Sequence, residues 1–229
     1  MKITILGNSV ALRVRPPENQ PENKNYTYWL REKLDPSTTI ENISLGATTI
    51  TNWLKMSDQV INCFPNIYII HVGVVDSTIR EVPLWFYRLS NRKVDNILTK
   101  FFKLIYRGVF SKIRAPLSKL RGSRSWVSLK RFEKSYDHLF SMILKDTNAK
   151  IIAMPINLAN NRVEKQLPGT IKSQKKFNEA IQKVVNKHSQ TIVDLDDLRS
   201  DQHYPDGVHF NKSGHEIVAN KLVSIINEI

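Results

Sequence analysis

Apolar and polar positions along this chain fall into two alternating rhythms. Residues 2–6 set Ile3, Ile5 and Leu6 against Lys2 and Thr4 and halt at Gly7, the pattern of a strand that ends in a tight loop. Residues 26–34 predict a short helix with Pro36 just past its end, and 39–44 a second strand. Within 47–64, Ile50, Trp53, Leu54, Val60 and Ile61 recur at helical spacing. Residues 66–72 are a near-continuous apolar run ending at Gly73, as expected of a central strand buried on both faces; 150–154 repeats it and stops at Pro155. A helix is expected over 173–188, a last strand over 191–195 and a closing helix over 212–226. Strands alternating with helices predict an α/β fold, a parallel sheet covered on both faces. Ligands of such sheets bind at the carboxyl ends of the strands. Ser9, Gly46, Asp76 and Pro155 each follow a predicted strand and are expected along that one edge.

Residues 77–131 break the rhythm. Their amphipathic stretch over 96–109 carries Ile97, Leu98, Phe101, Phe102, Leu104 and Ile105; a break is expected at Ala115-Pro116 and a loop at Gly122-Ser123-Arg124-Ser125. Charge singles out the same region. Residues 88–134 hold fourteen Lys or Arg against Asp95 and Glu133, which leaves the rest of a chain of net charge +13 almost neutral. We read 1–229 as one domain bearing a basic helical insertion at 77–131. The insertion is a solvated helical face, a cap over the site, a surface for an acidic polymer or a helix for an anionic membrane surface. Phe101, Phe102, Leu104, Tyr106 and Phe110 among its basic residues suit the last. Nucleic acid ranks lowest as a partner, because no base-reading motif accompanies the charge.

Composition narrows the setting. A hydrophobic fraction of 41% and a charged fraction of 24% are those of a globular protein, and no apolar run is long enough to span a bilayer. The short apolar stretch before Gly7 reads as a strand and not as a signal-peptide core. The lone Cys63, in the apolar surroundings of Val60, Ile61 and Phe64, reads as a small core residue and excludes an internal disulfide. Together these suggest a reducing, cytoplasmic location, peripheral on the inner membrane face if the insertion binds lipid.

The chemistry gathers near the C-terminus, in Tyr204-Pro205-Asp206-Gly207-Val208-His209-Phe210-Asn211. A carboxylate and an imidazole three residues apart on a loop let Asp206 hold one ring nitrogen of His209 while the other faces a nucleophile. Ser9, at the strand-to-loop turn Gly7-Asn8-Ser9, supplies the hydroxyl that such a base activates. His71 reads as a core histidine, His138 and His188 as helix surface, and His203 and His215 as neighbours of the site; no metal site is expected.

In these blocks the chain resembles the SGNH (GDSL-like) hydrolase family. Gly7-Asn8-Ser9-Val10 is similar to its first block, with Asn8 where aspartate is common; Ser44-Leu45-Gly46-Ala47 to its second; Gly73-Val74-Val75-Asp76 to its third; and Asp206-Gly207-Val208-His209 to its last. The resemblance implies a three-layer αβα sandwich on a flavodoxin-like sheet of about five strands. It implies no cofactor, and ester hydrolysis through an acyl-serine. Ser9, Asp206 and His209 would be catalytic, with the Ser9 and Gly46 amides in the oxyanion hole. At Val75 the family carries an asparagine that donates to the oxyanion, and valine cannot. Asn8 or Asn157 could substitute, and Asn8, Asp76 and Asn157 are the expected substrate-contacting residues. An O-acyl, expectedly O-acetyl, carbohydrate is the substrate the family suggests. An acyltransferase of surface-polysaccharide synthesis on the same triad, or an inactive binding scaffold, are the alternatives.

Overall fold

The computed structural model describes residues 1–14, 24–92 and 96–229. Five strands, β1 (Lys2–Gly7), β2 (Thr39–Asn42), β3 (Ile67–His71), β4 (Lys150–Ala153) and β5 (Thr191–Ile192), pair in parallel in the order β2-β1-β3-β4-β5. Helices cover both faces, giving the three-layer αβα sandwich. Tyr26–Lys33 packs on Lys212–Asn227, while Leu129–Asp146 packs on Thr170–Lys187 and on Ile50–Lys55. Every residue of β3 is buried, as its unbroken apolar run requires. The register sets Gly7 beside His71 and Ile70 beside Ala153, so the central strands end level and their following loops meet at one rim.

Four local expectations give way. The helical stretch expected over 47–64 is two helices, Ile50–Lys55 and Ser57–Ile61, separated at Met56. Strand β5 pairs over two residues only, and Asp194 then turns the chain by accepting the Asp196 amide. Cys63 is partly exposed, its thiol donating to the Gln59 carbonyl, because the adjacent Phe64 turns outward. Pro116 does not break the chain but sits in the first turn of a helix, Arg114–Leu120. Amides of a first helical turn have no intrahelical acceptor, so a missing N–H is tolerated there.

Between the short helix Val74–Ser77 and the helix that starts at Leu129, the chain makes its excursion. It runs through Leu84–Ser90, Ile97–Ile105, a π-helical turn at Tyr106–Phe110, and Arg114–Leu120. An antiparallel bridge between Ile79 and Ser125 joins its two ends. Its helix Arg114–Leu120 leans on Asn161–Gln166, just after β4, so the excursion folds back over the strand ends.

Candidate active site

Ser9 opens a single 3₁₀ turn, Ser9–Ala11, directly after β1. Asn8 makes that turn: its side chain accepts from the Val10 amide (3.1 Å) and its own N–H donates to the His71 carbonyl of β3 (3.3 Å). Asn42, at the end of β2, donates to the Ala11 carbonyl (2.7 Å), while its side-chain oxygen accepts from the Ser44 amide (3.1 Å). One side chain thus ties the serine turn to the loop that carries Gly46.

The Asp206–His209 loop is as firmly tethered. Asp206 Oδ1 accepts the amides of Val208 (2.8 Å) and His209 (2.7 Å), leaving Oδ2 for the imidazole. From the segment after β4, Asn160 donates to the Pro205 carbonyl (3.2 Å), Arg162 to that of Asp206 (3.0 Å) and Asn157 to that of Val208 (2.7 Å). Gly207 takes φ of 83°, and a Cβ there would stand 2.5 Å from Asn160 Oδ1 and 2.6 Å from Val163. Only glycine fits that position. Asn211 then caps the closing helix by accepting the Gly214 amide (3.0 Å).

These two loops meet. Ser9 Oγ lies 2.8 Å from His209 Nε2, and His209 Nδ1 lies 2.8 Å from Asp206 Oδ2. Partial burial works to raise the Asp206 pKa, but the His209 ring and the two loop amides together hold the carboxyl below its ordinary value. A carboxylate so held stays ionised and fixes the proton of the neutral ring on Nδ1, which leaves Nε2 free to take the serine proton.

A cavity of about 490 Å³ opens beside this contact, the size of a small-molecule site. Ser9, Gly46, Val75 and His209 line one part of it. A Cβ on Gly46 would meet nothing within 4 Å, so packing does not demand glycine there; the absent side chain leaves the amide approachable. The next residue, Ala47, holds φ of 58°, a conformation alanine rarely takes, so the turn is set against its local preference. Val75 brings a methyl surface to the wall where the family has an amide.

The three residues expected to contact substrate lie elsewhere. Asn8 is fully buried beneath the turn, its Oδ1 accepting from Val10 while its Nδ2 has no partner, and the Asn157 amide nitrogen is taken by Val208, so Asn157 is not free to replace the missing donor. Asp76 is fully buried: its Oδ1 accepts the Ile50 amide (3.0 Å) at the start of Ile50–Lys55 while its Oδ2 has no partner. Burial raises its pKa to about 7, against the opposing pull of the Ile50 amide, its own amide and the Arg80 charge. All three shape the loops from beneath. Sequence reasoning missed Arg80, Tyr87, Arg114 and Trp126, which the excursion contributes to the cavity wall. Their only signal was the charge of the interval, which does not say which of its cations turn inward. Among the described residues no group of His, Cys, Asp or Glu is arranged to hold a metal, and no helix is long and apolar enough to cross a membrane.

No curated protein matches the sequence. The fold is similar to that of a lipase/acylhydrolase from Enterococcus faecalis, at 15% identity and TM-score 0.65 over 98% of this chain and 94% of that one. It is also similar to the acetyl xylan esterase AlAXEase, at 17% identity and TM-score 0.63 over 99% and 100%. A third similar structure is Axe2, an acetylxylan esterase from Geobacillus stearothermophilus, at 15% identity and TM-score 0.60 over 97% and 92%. Identities this low speak for the fold alone. The sequence pattern of one family, however, matches residues 5–217, a span that holds Ser9, Gly46, Asp206 and His209: the chain belongs to the GDSL-like lipase/acylhydrolase family.

Proposed function

We propose that this chain is a serine esterase that removes an O-acyl group, foremost O-acetyl, from a carbohydrate. The unbroken contact from Ser9 through His209 to Asp206, at 2.8 Å for each step, carries the reading. Ser9 Oγ adds to the ester carbonyl as its proton passes to His209 Nε2; Asp206 stabilises the imidazolium. The amides of Ser9 and Gly46 hold the oxyanion. Collapse breaks the bond to the sugar oxygen, which takes the proton from Nε2 and leaves the acyl group on Ser9. Water then attacks, giving its proton to Nε2, and the carboxylic acid departs as Ser9 recovers its proton. No cofactor enters. The acetyl xylan esterases of similar fold favour acylated sugars as substrates. The test compares the purified chain with Ser9→Ala on p-nitrophenyl acetate and on acetylated sugars. Loss of turnover in the variant is expected, and equal turnover overturns the reading. Adding an acceptor glycan separates water from sugar as the acyl acceptor.

A second observation bears on location. On Ile97–Ile105, the side chains of Ile97, Leu98, Phe101 and Leu104 form one solvent-facing apolar stripe, with Ile97 89% and Leu104 72% exposed. Lys100 and Lys103 lie on the same helix, and Arg107 in the turn that follows it. Apolar side chains among cations suit the anionic inner face of a membrane better than a nucleic acid or an acidic polymer, which would leave the stripe in water. Co-sedimentation with vesicles is expected only when they contain anionic lipid, and to weaken with salt; binding to neutral vesicles at equal strength refutes this location.

A further inference from the structure

The part of the cavity wall contributed by the excursion is organised around one guanidinium. Arg80 follows the bridge residue Ile79, and its backbone is held on both sides. Its N–H donates to the Arg124 carbonyl (3.1 Å), and its carbonyl accepts from Arg121 Nη1 (2.6 Å). The guanidinium carbon lies 4.1 Å from the centre of the Trp126 ring. Trp126 is itself fixed by donating Nε1–H to the Val82 carbonyl (2.9 Å) and by the Tyr87 ring 4.7 Å away.

Nothing comparable neutralises the charge. Arg80 Nε is buried without a hydrogen-bond partner, and among the described residues no carboxylate forms an ion pair with Arg80. The adjacent Glu81 is already engaged, its Oε1 accepting from Arg114 Nε (3.1 Å) and from the Tyr106 hydroxyl (2.9 Å). Burial accordingly draws the Arg80 pKa below the ordinary arginine value, with the Glu81 charge opposing. Arg114 and Arg162 line the same cavity, and Asp206 there already holds His209. Arg80 is partly buried at the cavity wall, its Nε enclosed without a partner, and a charge partly withdrawn from water is costly until a counter-charge arrives. A guanidinium seated over an aromatic ring offers its remaining donors to an oxyanion.

We propose that Arg80, braced by Trp126 and flanked by Arg114 and Arg162, is a subsite for an oxyanion carried by the substrate, so that the ester presented to Ser9 sits on an acidic saccharide whose carboxylate or phosphate completes the cavity. This rests on the esterase reading and narrows its substrate class. Calorimetric binding to the Ser9→Ala protein tests it without turnover. The probes are an O-acetylated hexuronate oligosaccharide, its methyl ester and an O-acetylated hexose phosphate. The acidic probes are expected to bind about 10- to 100-fold tighter than the methyl ester. That preference should weaken with salt and collapse in Arg80→Gln, and the tighter of the two acidic probes names the anion. Equal affinity for the acid and its methyl ester, or no binding of any probe, overturns the subsite whether or not the chain hydrolyses esters. Charge-dependent binding without Ser9-dependent hydrolysis overturns the esterase instead and leaves the subsite standing. Should Arg80→Gln not fold, the comparison of probes on the intact Arg80 still decides.

Discussion

Asp76→Asn should make the protein more stable than its parent by an amount that grows from about pH 4 to pH 7 and then levels off, the two being alike below that range. The carboxyl is fully buried, accepts the Ile50 amide on one oxygen and leaves the other without a partner. With a folded pKa of about 7 against an ordinary 3.8, the native chain retains a proton that the unfolded chain releases. The stability this confers is complete below pH 3.8 and is lost as pH rises to about 7. A gap of about three pH units is worth about 4 kcal/mol, at roughly 1.4 kcal/mol for each. Asparagine keeps an oxygen for the Ile50 amide and never ionises. Its unpaired N–H donor replaces the unpaired O–H of the protonated acid, so the two proteins are alike at low pH. Between pH 5 and pH 8 the variant should gain on its parent by about 3 kcal/mol. Urea unfolding of both proteins across that range, followed by tryptophan fluorescence, measures the difference directly. The buried His71 and His215 titrate in both and cancel. A difference that stays constant from pH 5 to 8 would refute the reasoning, since it would mean that Asp76 is already ionised at pH 5.

Val75→Asn returns to the cavity wall the amide that the family carries. It should raise kcat for p-nitrophenyl acetate by roughly 10-fold or more, and an unchanged kcat would mean that another donor already serves the oxyanion. Gly207→Ala drives a Cβ into Asn160 and Val163 at a φ of 83°. A fall in kcat of about 10-fold or more is expected as His209 loses its alignment, read alongside the unfolding midpoint to separate misplacement from global loss. Burial lowers the pKa of His71 to about 4 and that of His215, which also feels the His71 charge, to about 3. Below pH 6.5 the unfolded chain therefore binds more protons than the native one. The two histidines contribute up to about 2.7 kcal/mol per pH unit and Asp76 offsets about half of it, so stability should fall towards pH 4 by roughly 1.4 kcal/mol per pH unit. Urea midpoints that stay level from pH 6 to 4 would contradict this.

Much of the fold could be read from the chain because a parallel sheet writes itself plainly. Residues 66–72 and 150–154 are nearly all apolar for want of a solvent-facing side, and each ends at a glycine or proline. The contact of Ser9, His209 and Asp206 was legible for a related reason: Asp206 and His209 meet within a single loop, and Ser9 follows the first strand. Long-range partners were not. That Asp76 holds the Ile50 amide, or that Asn157 holds the Val208 carbonyl, depends on which loops meet at the rim, and a lone polar residue after a strand reads equally well as a ligand contact. Pro116 misled because the rule against proline spares the first helical turn. Arg80, which precedes the basic run of 88–134, gave no signal of facing inward, since no helical or strand period governs a segment stitched together by Glu81, Trp126 and backbone carbonyls.

The bridge between Ile79 and Ser125 gives the molecule a single doorway through which the excursion leaves and re-enters the hydrolase body. Opposed residues of an antiparallel pair stand about 5 Å apart at Cα, a gap that a turn of a few residues closes. Shortening the chain to a turn across that bridge should therefore leave the sheet and Ser9 in place, and thermal unfolding of such a variant would measure what the contact of Arg114–Leu120 on Asn161–Gln166 adds. What borders the cavity at Arg80, Tyr87 and Arg114 is thus carried on a different stretch of chain from Ser9, Asp206 and His209.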